Sequence, residues 1–382
     1  MKPREAMLIL PGILIFFMVV AAVGSSIATA AEEIRIGFTP PLTGTSAGPG
    51  ASGLKAIQLA LKQINTAGGV NGKKINLIVV DSQSTNPGAL AAVQKVVEQE
   101  KVLALIGFHL SGQVQATSDA IKTYGIPTFI GGTHVSLTRQ GNPWLFRVRP
   151  DDSITALAMV KYIDEDMKLR SIGILHDSDG FGVGGADLVE RGAKERGMAI
   201  VEREKYTKGE KDYSDRMLSL KSAGAEVMVV YGHAIEAAWI QQQYRQLGSP
   251  FKYLGSPASQ TKIALERSKE AAEGLLAIAD LVSGQSDMNK KYAEAYKKEY
   301  NQEYDTIQAW AYDALNILVE AIKMAGEDRA KIREAILALR GYPGVLGTFS
   351  FTPNGDGLHE VSIVQIEQGK PKLLKSVKVE AK

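Results

Sequence analysis

The chain has 382 residues, of which 45% are hydrophobic and 23% charged, the balance of a folded protein long enough for two domains that each bury a substantial core. Its 44 basic and 42 acidic residues leave a formal charge of +2, and no Lys/Arg run with interleaved aromatics occurs, so a nucleic-acid partner is not expected. The absence of cysteine excludes a disulfide framework, a thiolate metal site and a lipid-modified cysteine together.

In chain order, Lys2 and Arg4 precede an apolar stretch from Met7 to about Val23, and Ala28-Thr29-Ala30 then supplies the small-x-small pattern of a signal peptidase site. Residues 1–31 therefore read as a cleaved secretory signal, with the mature chain starting near Ala31 or Glu32. A membrane anchor is the alternative, because the stretch is near the lower limit for a span; Pro11, Gly12 and the adjacent alanines favour cleavage. An exported domain without disulfides relies on its core alone, which suits a bacterial periplasm.

From Ile34 onward, short apolar runs alternate with amphipathic stretches at helical spacing, the signature of a parallel sheet with crossover helices. Strands are expected at 34–38, 75–80, 102–108, 128–130, 171–175, 199–204 and 227–231. Leu54, Ile57, Leu61 and Ile64 place one face of a helix over 53–65, and Gly68, Gly125, Gly197, Gly224 and Gly248 stand where helices end. The stretch "NPWLFRVRPDDS" (142–153) interrupts the alternation, and a helix capped by Asp151 or Asp152 follows, so we place a domain crossing there with Asp152 as a hinge residue. After a second set of units, an apolar strand lies within 274–284, three helical patterns cover about 287–340, and "GTFSFTPNGDGLHEVSIVQIEQGK" alternates at period two around Asn354-Gly355-Asp356-Gly357, a hairpin signal.

Open parallel sheets bind ligands beyond the carboxyl ends of their strands. Four of the five histidines, His109, His134, His176 and His233, stand at such ends. Three of these tips also carry small or hydroxylic residues: Ser111-Gly112, Gly131-Gly132-Thr133 and Ser178-Asp179-Gly180. Glycine lets backbone N–H groups approach a ligand, and hydroxyls at a helix N-terminus add donors suited to a carboxylate; turn-building and capping explain the same residues without a ligand. No HExxH or similar metal spacing occurs, and Gly-x-Ser-x-Gly is absent, so neither a metal site nor a hydrolytic triad is read. "GFGVGG" (180–185) matches the dinucleotide fingerprint, with Glu202 and Glu204 about twenty residues on. Against a cofactor stands the polar "HDSD" between strand and first glycine, where the fingerprint needs a tight turn.

Taken together, "IRIGFTPPLTG", "GGVNGKKINLIVVDSQSTNPGALAAVQKVV", "IGFHLSGQVQATSDAIKTYGIP", "RVRPDDS", "SIGILHDSDGFGVGG", "AWAYDALNIL" and "GTFSFTPNGDG" resemble the periplasmic solute-binding proteins of the branched-chain amino acid transport class, across nearly all of the mature sequence. The resemblance implies a type I periplasmic binding fold: α/β, with two Rossmann-like lobes of parallel central sheets joined by a three-segment hinge. One lobe would comprise 32–150 and 280–345, the other 151–279 and 346–382. It further implies a non-enzymatic receptor without cofactor or metal, whose partners are a small carboxylate ligand and the membrane permease of an ABC importer. By the same resemblance Ser111 with Gly112, and Gly132 with Thr133, hold the ligand carboxylate; Phe181 closes on it from the second lobe; Tyr231 and His233 fall in the next rim loop. Two departures matter. Where the family's amino acid binders place an acid for the ligand ammonium, this chain has "LGSPASQ" with Ser256, Pro257 and Ala258, and Pro49 replaces an aromatic that packs on the solute. A free ammonium would then depend on Glu236 or Asp179, and an aromatic or aliphatic acid is at least as well suited as leucine. A sensor module of the same fold and a secreted nicotinamide-dependent oxidoreductase are the alternative readings.

Overall fold

The computed structural model describes residues 33–379; the expected secretory signal lies outside the described residues. Among the described residues no helix is long and apolar enough to cross a membrane.

The first sheet is built from β1 (Ile34–Phe38), β2 (Ile75–Val79), β3 (Ala104–Ile106), β4 (Thr128–Ile130) and β5 (Leu145–Arg147), all parallel, in the order β2-β1-β3-β4-β5. Its strands are apolar on both faces because helices cover both. Ile34, Ile36, Phe38 and Ala104 face one core with Ala56 and Ile57 of α1 (Ala47–Thr66), while Leu105 and Ile130 face the other with Val93 of α2 (Asn86–Gln94) and Val114 and Ile121 of α3 (Ser111–Tyr124). Burying each such side chain contributes about 1.5–3 kcal/mol. Gly125 ends α3 in the left-handed conformation, φ 55°, and turns the chain into β4. Strand β5 escapes the sequence pattern: it is three residues long, and the third is a charged arginine.

The second lobe repeats the scheme with α4 (Asp152–Tyr162), β6 (Ser171–Asp177), α5 (Gly180–Glu195), β7 (Ala199–Tyr206), α6 (Ser214–Ser222), β8 (Val227–Tyr231), α7 (Ala234–Gln246), β9 (Lys252–Gly255), α8 (Lys262–Ser268) and β10 (Leu276–Ala279). The chain then returns to the first lobe through α9 (Asp287–Tyr300), α10 (Trp310–Ala325), α11 (Arg329–Ala338) and a short antiparallel pair, β11 (Tyr342–Pro343) with β12 (Thr348–Phe349). A last hairpin, β13 (Glu360–Glu367) with β14 (Lys370–Lys378), completes a seven-stranded sheet ordered β14-β13-β10-β9-β8-β6-β7. Only the contacts of β13 are antiparallel in it.

Two expectations about the C-terminal region are corrected. The turn read at Asn354–Gly357 closes no hairpin: this segment lies along β5, where Arg147 donates its backbone N–H to Gly355 O at 2.8 Å, and the real hairpin turns at Gln368-Gly369. Second, residues 346–358 stay with the first core rather than joining the second lobe. Phe351 lies 6.3 Å from Phe129 and 6.2 Å from Phe146, ring centroid to centroid, and Leu358 is buried in the same cluster. The chain thus passes between the two cores between Val148 and Ile154, at Asp280, and between Leu358 and Val361.

Buried charge ties these crossings together. Arg149 Nε pairs with Asp280 Oδ2 at 2.6 Å, joining the first crossing to the second. Arg147, fully buried, sets Nε 3.0 Å from Asp356 Oδ1 and so joins the end of β5 to the irregular segment leading into the third. Removing one partner of such a pair leaves an uncompensated buried charge. Asp356→Ala should therefore cost about 3–5 kcal/mol of stability, measured by chemical denaturation of the mature chain; a loss below about 1 kcal/mol would mean that Arg139, 3.1 Å from the same carboxylate, is the side chain that needs it.

Candidate functional site

The carboxyl ends of β3 and β4 bring two loops together. Ser111 opens α3, and its Oγ accepts hydrogen bonds from the backbone N–H groups of Thr133 and His134, both at 3.2 Å. An oxygen that accepts two N–H groups keeps its own proton to donate, and the first turn of α3, with Gly112, offers N–H groups that have no partner within the helix. Gly132 packs on this pair: a Cβ there would stand 3.1–3.2 Å from Leu137, Val114 and the Ser111 Cα. Carbonyls of the same loop are claimed from behind. Arg147 Nη1 donates to Thr133 O at 2.5 Å and His134 O at 3.0 Å, and Arg149 Nη1 donates to Gly131 O at 3.0 Å. With those oxygens held by guanidinium groups, the rim presents donors, which suits an anion.

The second lobe contributes an aromatic cluster. The Phe181 ring lies 5.0 Å from Tyr231 and 5.2 Å from His233, centroid to centroid. His233 Nε2 is 2.7 Å from Asp179 Oδ2, while Asp179 Oδ1 caps α5 by accepting the Gly182 N–H at 3.0 Å. Burial works against ionisation of Asp179, yet the hydrogen bond and charge of His233, with the Gly182 N–H, pull its pKa down to about 2. Asp179 is thus already engaged with His233 and does not stand free for an ammonium. Asp177, Asp179 and His233 each bring one ligand atom within 4.8 Å of the others and could share a metal ion. Three of the four glycines of "GFGVGG" lie close against protein, and only Gly180 faces open space. A Cβ on Gly182 would fall 2.2 Å from Asp177 O, on Gly184 2.3 Å from the His134 ring, and on Gly185 2.0 Å from the Tyr231 ring. This face of α5 is bare so that a first-lobe histidine and a core tyrosine can lie against it.

Tyr231 differs from its sequence reading as a rim residue: it is fully buried, and its hydroxyl donates to Asp152 Oδ1 at 2.8 Å. Asp152 in turn donates its backbone N–H to Thr133 O at 2.9 Å, so it ties the second-lobe tyrosine to the first-lobe loop. The cap of α4 is Asp151, whose Oδ1 accepts the N–H groups of Ser153 and Ile154.

Between the lobes remains a cavity of about 60 Å³, well below the roughly 300–1,000 Å³ of ordinary ligand sites. His109 and Asp305 face it from the first lobe, and Lys208, His233, Glu236 and Ala258 from the second. Ser111, Thr133 and Phe181 do not line it as it stands. Asp305 and Lys208 escaped the sequence reading, since one sits in a short turn before α10 and the other in a loop whose charges resemble a solvated surface. Larger recesses, of about 400 Å³ beside Leu281 and about 600 Å³ beside Trp144, lie away from these loops.

Burial raises Asp152 to about 7, opposed by the Tyr231 and Thr133 hydroxyls. Between its ordinary 3.8 and 7 the folded chain keeps a proton that the unfolded chain releases, so this contribution to stability is full below 3.8 and is lost as pH rises through 7. Replacing Asp152 with asparagine should therefore flatten the decline between pH 5 and 7 by about 1.4 kcal/mol per pH unit, read from urea midpoints of the two proteins.

Comparison with known proteins places this geometry. The sequence matches the periplasmic binding protein family over residues 33–371. The leucine-, isoleucine-, valine-, threonine- and alanine-binding protein of Pseudomonas aeruginosa is 27% identical over 334 residues, 87% of this chain and 89% of that one. A leucine-binding protein from Thermotoga maritima superposes with a TM-score of 0.84 at 26% identity, covering 90% of this chain and 99% of the other. An ABC transporter solute-binding protein from R. palustris, solved with benzoate, shares the fold at 18% identity with a TM-score of 0.82, covering 92% and 99%. Since the match runs through both lobes and all three crossings, the chain belongs to the periplasmic binding protein family.

Proposed function

We propose that this protein is an extracytoplasmic receptor that captures a small carboxylate between its lobes and delivers it to the membrane permease of an ABC importer. It is a binding protein rather than an enzyme, as the names of its relatives suggest for them. The observation that carries the reading is the donor rim at Ser111–Gly112 and Gly132–Thr133. One hydroxyl is oriented by two N–H groups, and the carbonyls behind it are held by two buried arginines. Phe181 and His233 supply the second-lobe wall, with Tyr231 beneath them as support.

The solute is an aromatic or aliphatic acid at least as readily as an amino acid. Ala258 offers no charge, and Asp179 is committed to His233. Relatives span both chemistries, since the Pseudomonas protein is named for amino acids and the R. palustris structure holds benzoate.

Calorimetric titration with a panel of carboxylic acids and amino acids tests the clamp. The double variant Ser111→Ala, Thr133→Ala should weaken the best acid by a few kcal/mol, at about 1.5–3 per hydrogen bond to a charged group. Unchanged titration curves would remove the assignment, and heat from zwitterionic amino acids alone would reject the preference for simple acids.

A cavity of about 60 Å³ admits no benzoate-sized molecule, so entry requires the lobes to part about the crossings and close again over the solute. Small-angle scattering of the mature chain should accordingly give a smaller radius of gyration at saturating solute than without it. Identical curves would argue for a rigid cleft.

A further inference from the structure

The charges facing the interlobe cavity are unequally answered. Glu236 Oε1 accepts the Gly209 N–H at 3.1 Å, which also anchors the loop carrying Lys208. Asp305 Oδ1 accepts the N–H groups of Ile307 at 3.1 Å and Gln308 at 3.5 Å. His233 is paired with Asp179. Two groups are left over. Lys208, half-buried on the cavity wall, has no hydrogen bond or ion pair among the described residues, and across from it the buried Nδ1 of His109 has none either. The two lie close enough that the Lys208 charge, after burial, Arg149 and His233, helps push His109 down and keep it neutral. In the tautomer that carries its proton on Nδ1, the neutral His109 imidazole and the Lys208 ammonium both offer the cavity donors that have no acceptor among the described residues, and an unmet polar group in a cavity of this size is costly.

We propose that Lys208 and His109 form a second oxyanion subsite, so that the solute carries two carboxylates, one held at the Ser111–Thr133 rim and the other between Lys208 and His109. This rests on the reading of the rim as a carboxylate clamp and narrows the solute class from acids in general to dicarboxylic acids. Ala258, adding no negative charge to the same wall, is consistent with it.

The test is calorimetry on the mature chain with two matched pairs, hexanoate against adipate and benzoate against terephthalate, for the wild type and for Lys208→Met and Lys208→Gln. In at least one pair the diacid should bind the wild type at least tenfold more tightly than its monoacid, and in both variants that ratio should fall to within about threefold. A wild type that binds monoacids as well as diacids, or a diacid preference that survives both substitutions, overturns the subsite while leaving the clamp standing. Failure of all four acids to bind overturns the clamp itself and this inference with it.

Discussion

Two buried arginines at the first crossing hold this molecule in register. Arg147 ends β5 and Arg149 stands two residues further on, beyond the strand, and both reach across to the other crossings, one to Asp356 and the other to Asp280. Other N–H groups of theirs go to the carbonyls of Gly131, Thr133 and His134 and to the Thr138 hydroxyl. A guanidinium taken out of water must find acceptors for its fork of donors, and here those acceptors are the hinge carboxylates and the backbone of the binding loop. Hinge cohesion and the geometry of the 131–134 loop are therefore one network, and a change in either is felt by the other.

The loops that face the cleft follow from that arrangement. Because the Gly131, Thr133 and His134 carbonyls are held from behind and the Thr133 and His134 N–H groups meet on Ser111 Oγ, the Ser111 hydroxyl proton and the first-turn N–H groups of α3 are the donors left at this rim, and the anion preference proposed for it needs no charged side chain at the contact. The second lobe answers with shape. The glycine face of α5 lets the His134 ring come in from the first lobe and the Tyr231 ring come up from the core, leaving Phe181 and His233 as the outer layer. A side chain on Gly184 would meet the His134 ring and press on the point where the lobes touch, whereas one on Gly185 would collide with Tyr231 inside the second lobe.

Proteins of this fold are named with, or solved with, solutes as unlike as amino acids and benzoate. In the proposed site the anion-holding half is the Ser111 hydroxyl and the loop at Gly132–Thr133, whose shape is set by backbone hydrogen bonds. The cavity walls of that site are side chains, His109 on the first lobe and Lys208 and Ala258 on the second, so exchanging a few of them would alter the charge that is welcomed without disturbing the sheets behind.

Much of the architecture was legible in the sequence because it is locally encoded. Apolar runs such as 34–38, 128–130 and 227–231 became strands with the same limits, the three patterns over 287–340 became α9, α10 and α11, and Ser111 and Thr133 stand at strand ends, where a parallel sheet gathers its loops. Other features depend on partners distant in the chain, and no periodicity reports them. β5 is marked by the acceptors around Arg147 rather than by alternation; Asn354-Gly355 carries a hairpin's composition but is drawn along β5, with Asp356 paired to Arg147; Tyr231 has the polar tip of a rim residue and spends it on Asp152. The sequence by itself determined the alternation of most strands and helices and which loops gather at the carboxyl ends of the sheets. Only the tertiary structure decided which polar groups satisfy one another and which are left to meet a ligand, because hydrogen bonds and buried charges are settled by distance in space, not by separation along the chain.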